Sequence, residues 1–317
     1  MYRRDFLKTT SAATFMSSAY LSDISTAKQD PVPKRRLGKT GVDLSIIALG
    51  GVAVMNDAQD AANSLVAEAF DRGINYFDVA PSYGDAQNRL GPALQPYRSR
   101  SFLACKTQER TRDGSRKELE GSLKALRTDH LDLYQFHALT KMSDLDQVLG
   151  RGGAMETFEA ARKEGKIRFI GFSAHSVETA LSALERYRFD TLLFPINFVL
   201  FSEANFGPQV VEKAQQQGMG ILALKSMAKT VWTDSEKGSH PHPKCWYHPA
   251  GFPDEAALGL RWTLSHPITA AVPPGDESYF RLAMDVAQRY KPISPAEEKT
   301  LLAGAAHSEP LFHLHNS

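Results

Sequence analysis

Eight short apolar runs alternate with amphipathic stretches along most of this 317-residue chain, and no other feature constrains the fold as strongly. The runs cover 45–51, 75–80, 102–106, 131–137, 167–174, 191–197, 220–226 and 269–274. Each has the length of a strand, and near-continuous apolar character is what a strand buried on both faces requires. Between the runs, apolar residues recur at helical spacing, as in Ala62, Leu65, Val66, Ala69 and Phe70, or Val177, Ala180, Leu181 and Leu184. Gly73, Gly165 and Gly218 close several of these segments in the manner of helix stops. Repeated βα units imply a parallel sheet. Eight of them, with no G-x-G-x-x-G after the first run, favour a closed (β/α)8 TIM barrel of the α/β class over an open dinucleotide-binding sheet.

The barrel is predicted to occupy 34–317. It opens with a β-hairpin at 34–44, where two extended pieces flank a Gly-containing turn, and has an extra helix at 295–306. Residues 1–33 read as a leader and linker. Tyr2-Arg3-Arg4-Asp5-Phe6-Leu7-Lys8 resembles a twin-arginine export motif. The mild apolar stretch from Thr9 to Leu21 is too short and too rich in Ser and Thr to span a bilayer, and Ser25-Thr26-Ala27 offers small residues for cleavage. Export to the periplasm, with no membrane insertion, is the expectation; a cytoplasmic enzyme is the alternative if this segment is no signal.

Lys and Arg number 37 against 36 Asp and Glu, so no long-range field draws the chain to nucleic acid or to an anionic membrane. A small-molecule partner fits better. Two cysteines, Cys105 and Cys245, cannot build a disulfide framework or a four-thiolate metal site. His240, His242, Cys245 and His248 lie close together, but His-x-His-x-x-Cys-x-x-His lacks the framing of a zinc site, so no metal is expected. A loop over the barrel mouth, with Trp246 and Tyr247 walling a substrate pocket, is the better reading.

A barrel assembles its site at the carboxyl ends of its strands. There the sequence places Asp78 after the second run, Tyr83 in the loop that follows, Lys106 after the third and His137 after the fourth. A hydride delivered to a carbonyl carbon leaves negative charge on oxygen, which needs a proton. A phenol, with a pKa of about 10, is a reluctant donor. An adjacent ammonium is expected to lower that value, a carboxylate to hold the ammonium in place, and an imidazole to orient the carbonyl oxygen.

These residues resemble the aldo-keto reductase superfamily. The likeness is carried by Arg36-Leu37-Gly38-Lys39-Thr40-Gly41, the block from Phe77 to Gly84, Lys106 and His137, and runs from about residue 34 to 290. It implies reduction of an aldehyde or ketone by NADP(H) or NAD(H), with Asp78, Tyr83, Lys106 and His137 as a catalytic tetrad and Tyr83 as general acid. It also implies nucleotide contacts at Gly51, Val52, Asp78 and Ser173, then at Leu224, Lys225, Gly275, Glu277 and Arg281. There are departures from the pattern. Ala174 stands where Asn is common, Pro195 where Gln is, and Leu224 where an aromatic stacks on the nicotinamide. Glu277 replaces a base that grips the 2′-phosphate, which pulls toward NADH, while Arg281 one turn on could restore phosphate binding. A nicotinamide-binding sensor or accessory subunit is the alternative these departures leave open. A metal-dependent hydrolase is disfavoured, because Ala48-Leu49-Gly50-Gly51 stands where its H-x-H would be.

Overall fold

The computed structural model describes residues 30–314; the leader expected within 1–29 lies outside them. A hairpin of β1 (Lys34–Arg36) and β2 (Asp43–Ser45) comes first, its turn closed by Gly41 at φ 80. The eight barrel strands are β3 (Leu49–Gly50), β4 (Tyr76–Asp78), β5 (Phe102–Thr107), β6 (Leu131–Leu139), β7 (Ile167–Ala174), β8 (Thr191–Pro195), β9 (Gly220–Leu224) and β12 (Ala270–Val272). Two short strands, β10 (Ala228–Thr230) and β11 (His248–Pro249), pair with each other between β9 and β12. All barrel strands run parallel, in sequence order. The ring closes where Ile47 bridges Ala271, with Ala48 N–H donating to Ala271 O and Ala271 N–H to Ile46 O, both at 2.9 Å.

Eleven α-helices are found among the described residues. They are α1 (Gln59–Asp71), α2 (Ala86–Leu94), α3 (Arg112–Ala125), α4 (Met142–Leu149), α5 (Ala154–Lys163), α6 (Val177–Arg186), α7 (Phe198–Ala204), α8 (Pro208–Gln216), α9 (Asp254–Leu264), α10 (Glu277–Gln288) and α11 (Pro295–Ala305). Their starts carry the caps the sequence supplies: Ser176 Oγ accepts from Thr179 N–H, and Ser294 with Glu297 forms a capping box. None of the helices is long and apolar enough to cross a membrane.

Burial follows two layers. Leu44, Ala48, Tyr76, Phe102, Ala104, Leu133, Leu193, Leu222 and Ala270 fill the barrel interior, and Leu37 of the hairpin caps its amino-terminal end. A larger core lies between strands and helices. Leu37 fits because residue 220 is glycine: a Cβ there would lie 2.4 Å from Leu37 Cδ1. Gly171 serves strand packing similarly, since a Cβ would meet Thr191 Oγ1 at 2.1 Å. With its amino-terminal end plugged and its interior packed, the barrel leaves its carboxyl end as the place for chemistry.

Candidate active site

A cavity of about 310 Å³ opens at that carboxyl end, and Asp78, Tyr83, Lys106 and His137 all line it. Lys106 ends inside the barrel wall, 1% exposed, in an ion pair with Asp78, itself 2% exposed. The carboxylate is held from two other sides: Tyr76 Oη donates to Asp78 Oδ2 at 3.1 Å and Gln135 Nε2 at 3.4 Å. Burial works against the Lys106 ammonium, yet Asp78 and Tyr83 outweigh it and keep the pKa above the ordinary lysine value. Tyr76 and Gln135 were not picked out from sequence. The signal was present, because each lies two residues before a residue of the set, hence on the same face of its strand.

Tyr83 comes from the loop after β4, with its ring centre 5.1 Å from Lys106 Nζ and 5.7 Å, edge to face, from the His137 ring. The expectation for its acidity is reversed. Burial pushes the phenol pKa up by more than Lys106 pulls it down, with Asp78 adding to the rise. Tyr83 is therefore a protonated phenol across the neutral range.

His137 lies where β6 becomes irregular. Phe136 pairs with Phe172 and Leu139 with Ala174, so β6 holds one more residue than β7 over this stretch, and Ala138 takes φ 53. Such a bulge leaves the extra residue outside the regular ladder. Arg110 donates to His137 O at 2.8 Å, and Ser173 Oγ accepts from Ala138 N–H at 2.8 Å, which fixes the bulge. Burial, with Lys106 next in weight, depresses the His137 pKa to about 3, so the ring is neutral at physiological pH. Ser82 Oγ lies 3.4 Å from His137 Nδ1.

Of the nucleotide contacts implied by resemblance, Val52, Ser173, Leu224, Lys225 and Gly275 line the cavity, with Gly51 immediately before Val52. A Cβ on Gly275 would lie 2.3 Å from Val52 Cγ1, so this glycine lets the loops after β3 and β12 pack in contact at the edge of the cavity. Glu277 and Arg281 are not brought to the cavity. They pair with each other at 2.6 Å on α10, and Arg281 also meets Glu68 of α1 at 3.0 Å. At the start of α10, Asp276 accepts from Ser278 N–H and Tyr279 N–H.

The segment from 231 to 253 crosses the barrel mouth as a strap. Lys244 donates to Ala53 O at 2.7 Å and pairs with Asp57 at 2.8 Å, while His242 Nδ1 lies 2.8 Å from Asp276 Oδ2. His240 and His248 pack on Trp232, at 3.9 and 4.3 Å between ring centres, and Cys245 is buried. Among the described residues no group of three or more His, Cys, Asp or Glu is placed to hold a metal. Trp246 and Tyr247 do wall the cavity. Lys244 and His175 also line it and were not anticipated, although each lies two residues from a residue the sequence had placed there, Trp246 and Ser173.

Comparison with known proteins agrees with this geometry. A model of the aldo/keto reductase family matches residues 47–273. Uncharacterized oxidoreductase YrpG of Bacillus subtilis is 27% identical over 280 residues, 74% of this chain and 84% of that protein. Uncharacterized oxidoreductase YqkF of the same organism is 34% identical over 155 residues, 44% of this chain and only 48% of the relative. L-galactose dehydrogenase of Arabidopsis thaliana is 29% identical over 238 residues, 68% of this chain and 70% of that enzyme. Among solved structures, a Pseudomonas aeruginosa protein assigned as an aldo-keto reductase superposes with TM-score 0.65 at 27% identity, covering 82% of this chain and 96% of its own.

Proposed function

The chain belongs to the aldo/keto reductase family and is an oxidoreductase of that kind, and from this premise we propose that it reduces an aldehyde or ketone to an alcohol, using a nicotinamide dinucleotide and the phenol of Tyr83. The observation that carries the reading is the convergence of Tyr83, His137 and the buried Lys106–Asp78 pair on one wall of one cavity. When bound, the nucleotide supplies the hydride. Val52, Ser173, Leu224 and Gly275, which line the cavity beside the tetrad, are the residues that would hold it.

The protein's own groups do the rest. Tyr83 keeps its proton until charge develops on the carbonyl oxygen, then gives it up. The phenolate left behind faces Lys106, whose ammonium is kept charged by Asp78, so the cost of a buried anion is offset at the moment it forms. His137, neutral, orients the oxygen through a ring N–H rather than donating a proton outright. Ser173 Oγ accepts from Ala138 N–H and retains its own hydrogen for a carboxamide.

Asp276 and Glu277 place carboxylates at the start of α10, and Arg281 is engaged by Glu277 and Glu68. These charges favour NADH, whose adenosine ribose carries a hydroxyl where NADPH carries a phosphate. Export by the twin-arginine route is proposed from the sequence alone, on the motif from Tyr2 to Lys8, the apolar stretch from Thr9 to Leu21 and the small residues Ser25-Thr26-Ala27; amino-terminal sequencing of the protein from a periplasmic fraction would test it.

The test of the main reading is Tyr83→Phe. Carbonyl-dependent oxidation of NADH or NADPH should fall by about 10²–10⁴-fold, while nucleotide binding, followed by fluorescence, stays near the parent value. Turnover at the parent level would remove Tyr83 as donor.

A further inference from the structure

One cation in the cavity has no anion to balance it. Lys106 is paired with Asp78, and Lys244 with Asp57. Lys225, among the described residues, has no carboxylate partner. Its ammonium lies instead over two aromatic faces, 4.7 Å from the Trp246 ring centre and 4.6 Å from that of Tyr247. The rings shield the charge from water and attract it through their faces, but they do not neutralise it.

Its backbone is fixed with equal care. Lys225 sits at φ 65, a conformation that a lysine rarely adopts. Its carbonyl accepts from Asn197 Nδ2 at 3.1 Å and from Ala228 N–H at 2.9 Å. A pinned, unusual backbone that delivers an ammonium beneath an aromatic cover is a built feature, because strain of this kind persists only where the surroundings impose it.

The neighbours offer no negative charge. Those that bear on it electrostatically are Cys245 on the strap, Lys106 on β5, His137 on β6 and His175 just after β7. Burial raises the Cys245 thiol to about 12 and depresses both imidazoles to about 3, so these three are neutral at physiological pH. Burial also lowers Lys225 itself to about 8, the cost of a desolvated cation without a partner. Asp78 is the one carboxylate lining this cavity among the described residues, and it is committed to Lys106. His175 adds a second sign of a missing ligand: its Nε2 is buried with no hydrogen-bond partner.

We propose that Lys225 receives a carboxylate carried by the substrate, so that the preferred substrates are aldehydes or ketones bearing an acid group. The inference rests on the reductase reading. The position of Lys225 beside Lys106 and His137 places the anion next to the reacting carbonyl, on the substrate.

The test compares para-carboxybenzaldehyde with its methyl ester, which differs in charge and keeps the aldehyde. The parent should prefer the acid by about tenfold or more in kcat/KM, Lys225→Met should reduce that ratio to within about threefold of unity, and Lys225→Arg should restore most of it. The acid's kcat/KM should fall as pH rises through about 8, where Lys225 loses its proton, and the ester's should not follow. Benzoate should also quench tryptophan fluorescence at lower concentration than benzamide in the parent without nucleotide, and lose that advantage in Lys225→Met. Equal use of acid and ester, with equal binding of benzoate and benzamide, overturns the inference and leaves the reductase reading standing. A Lys225→Met protein that keeps its acid preference but binds the dinucleotide tenfold more weakly also overturns it. If neither aldehyde is reduced, the reductase reading fails, and the benzoate titration still decides whether Lys225 holds a carboxylate.

Discussion

The buried charges of the cavity and the surface charges of α10 differ in what holds them. In the cavity, Asp78 and Lys106 come from adjacent strands, are buried almost completely, and are braced by Tyr76 and Gln135. By contrast, Glu277, Arg281 and Glu68 sit on helix surfaces, about half exposed, and satisfy one another outside the cavity. The first arrangement is fixed by the packing of a parallel sheet; the second depends on long side chains in water. A buried pair tolerates no loss of a partner, whereas a surface pair can be exchanged and the specificity it sets can drift.

The largest effect should come from breaking the buried pair. Asp78→Asn leaves the Lys106 ammonium without its counter-ion and should cost about 3–5 kcal/mol of stability, read as a lower midpoint of urea denaturation, with turnover lost alongside. An unchanged midpoint would mean the pair is not the braced element described here. Reversing a surface charge on α10 should do less. Glu277→Lys is expected to shift the ratio of kcat/KM toward NADPH by roughly tenfold, with no loss of folding; a ratio that does not move would place the 2′-position elsewhere. The smallest effect is expected at the strap. Asp57→Asn removes the Lys244 ion pair and should speed nucleotide release about two- to fivefold in stopped-flow displacement, while the chemical step stays at the parent rate.

The same contrast explains what could be read from sequence. All eight barrel strands were legible because each is apolar enough to be buried on both sides, and Asp78, Lys106 and His137 stood out as polar residues at or near the ends of such runs. The first strand is shorter than expected: regular pairing with β4 is confined to Leu49–Gly50, since the residues before it turn from the hairpin into the barrel wall. The bulge beside His137 left no mark, because an extra residue in a strand has no signature of its own in an apolar run. The balance of forces on Tyr83 was equally hidden. Lys106 could be placed beside it from sequence, but how far burial outweighs one ammonium depends on the surroundings in three dimensions. The Lys244–Asp57 latch joins residues far apart in the chain through loops, and neither loop has a period to betray it.

The central claim is that this corner moves a hydride onto a carbonyl carbon and a proton onto its oxygen. Single-turnover reduction with a dinucleotide carrying deuterium at both positions of nicotinamide C4 tests it directly, with the alcohol analysed by mass spectrometry. The account predicts an alcohol one mass unit heavier, deuterated at the carbinol carbon, formed by the parent and scarcely at all by Tyr83→Phe over the same interval. Unlabelled alcohol, or labelled alcohol formed by Tyr83→Phe as fast as by the parent, would contradict it.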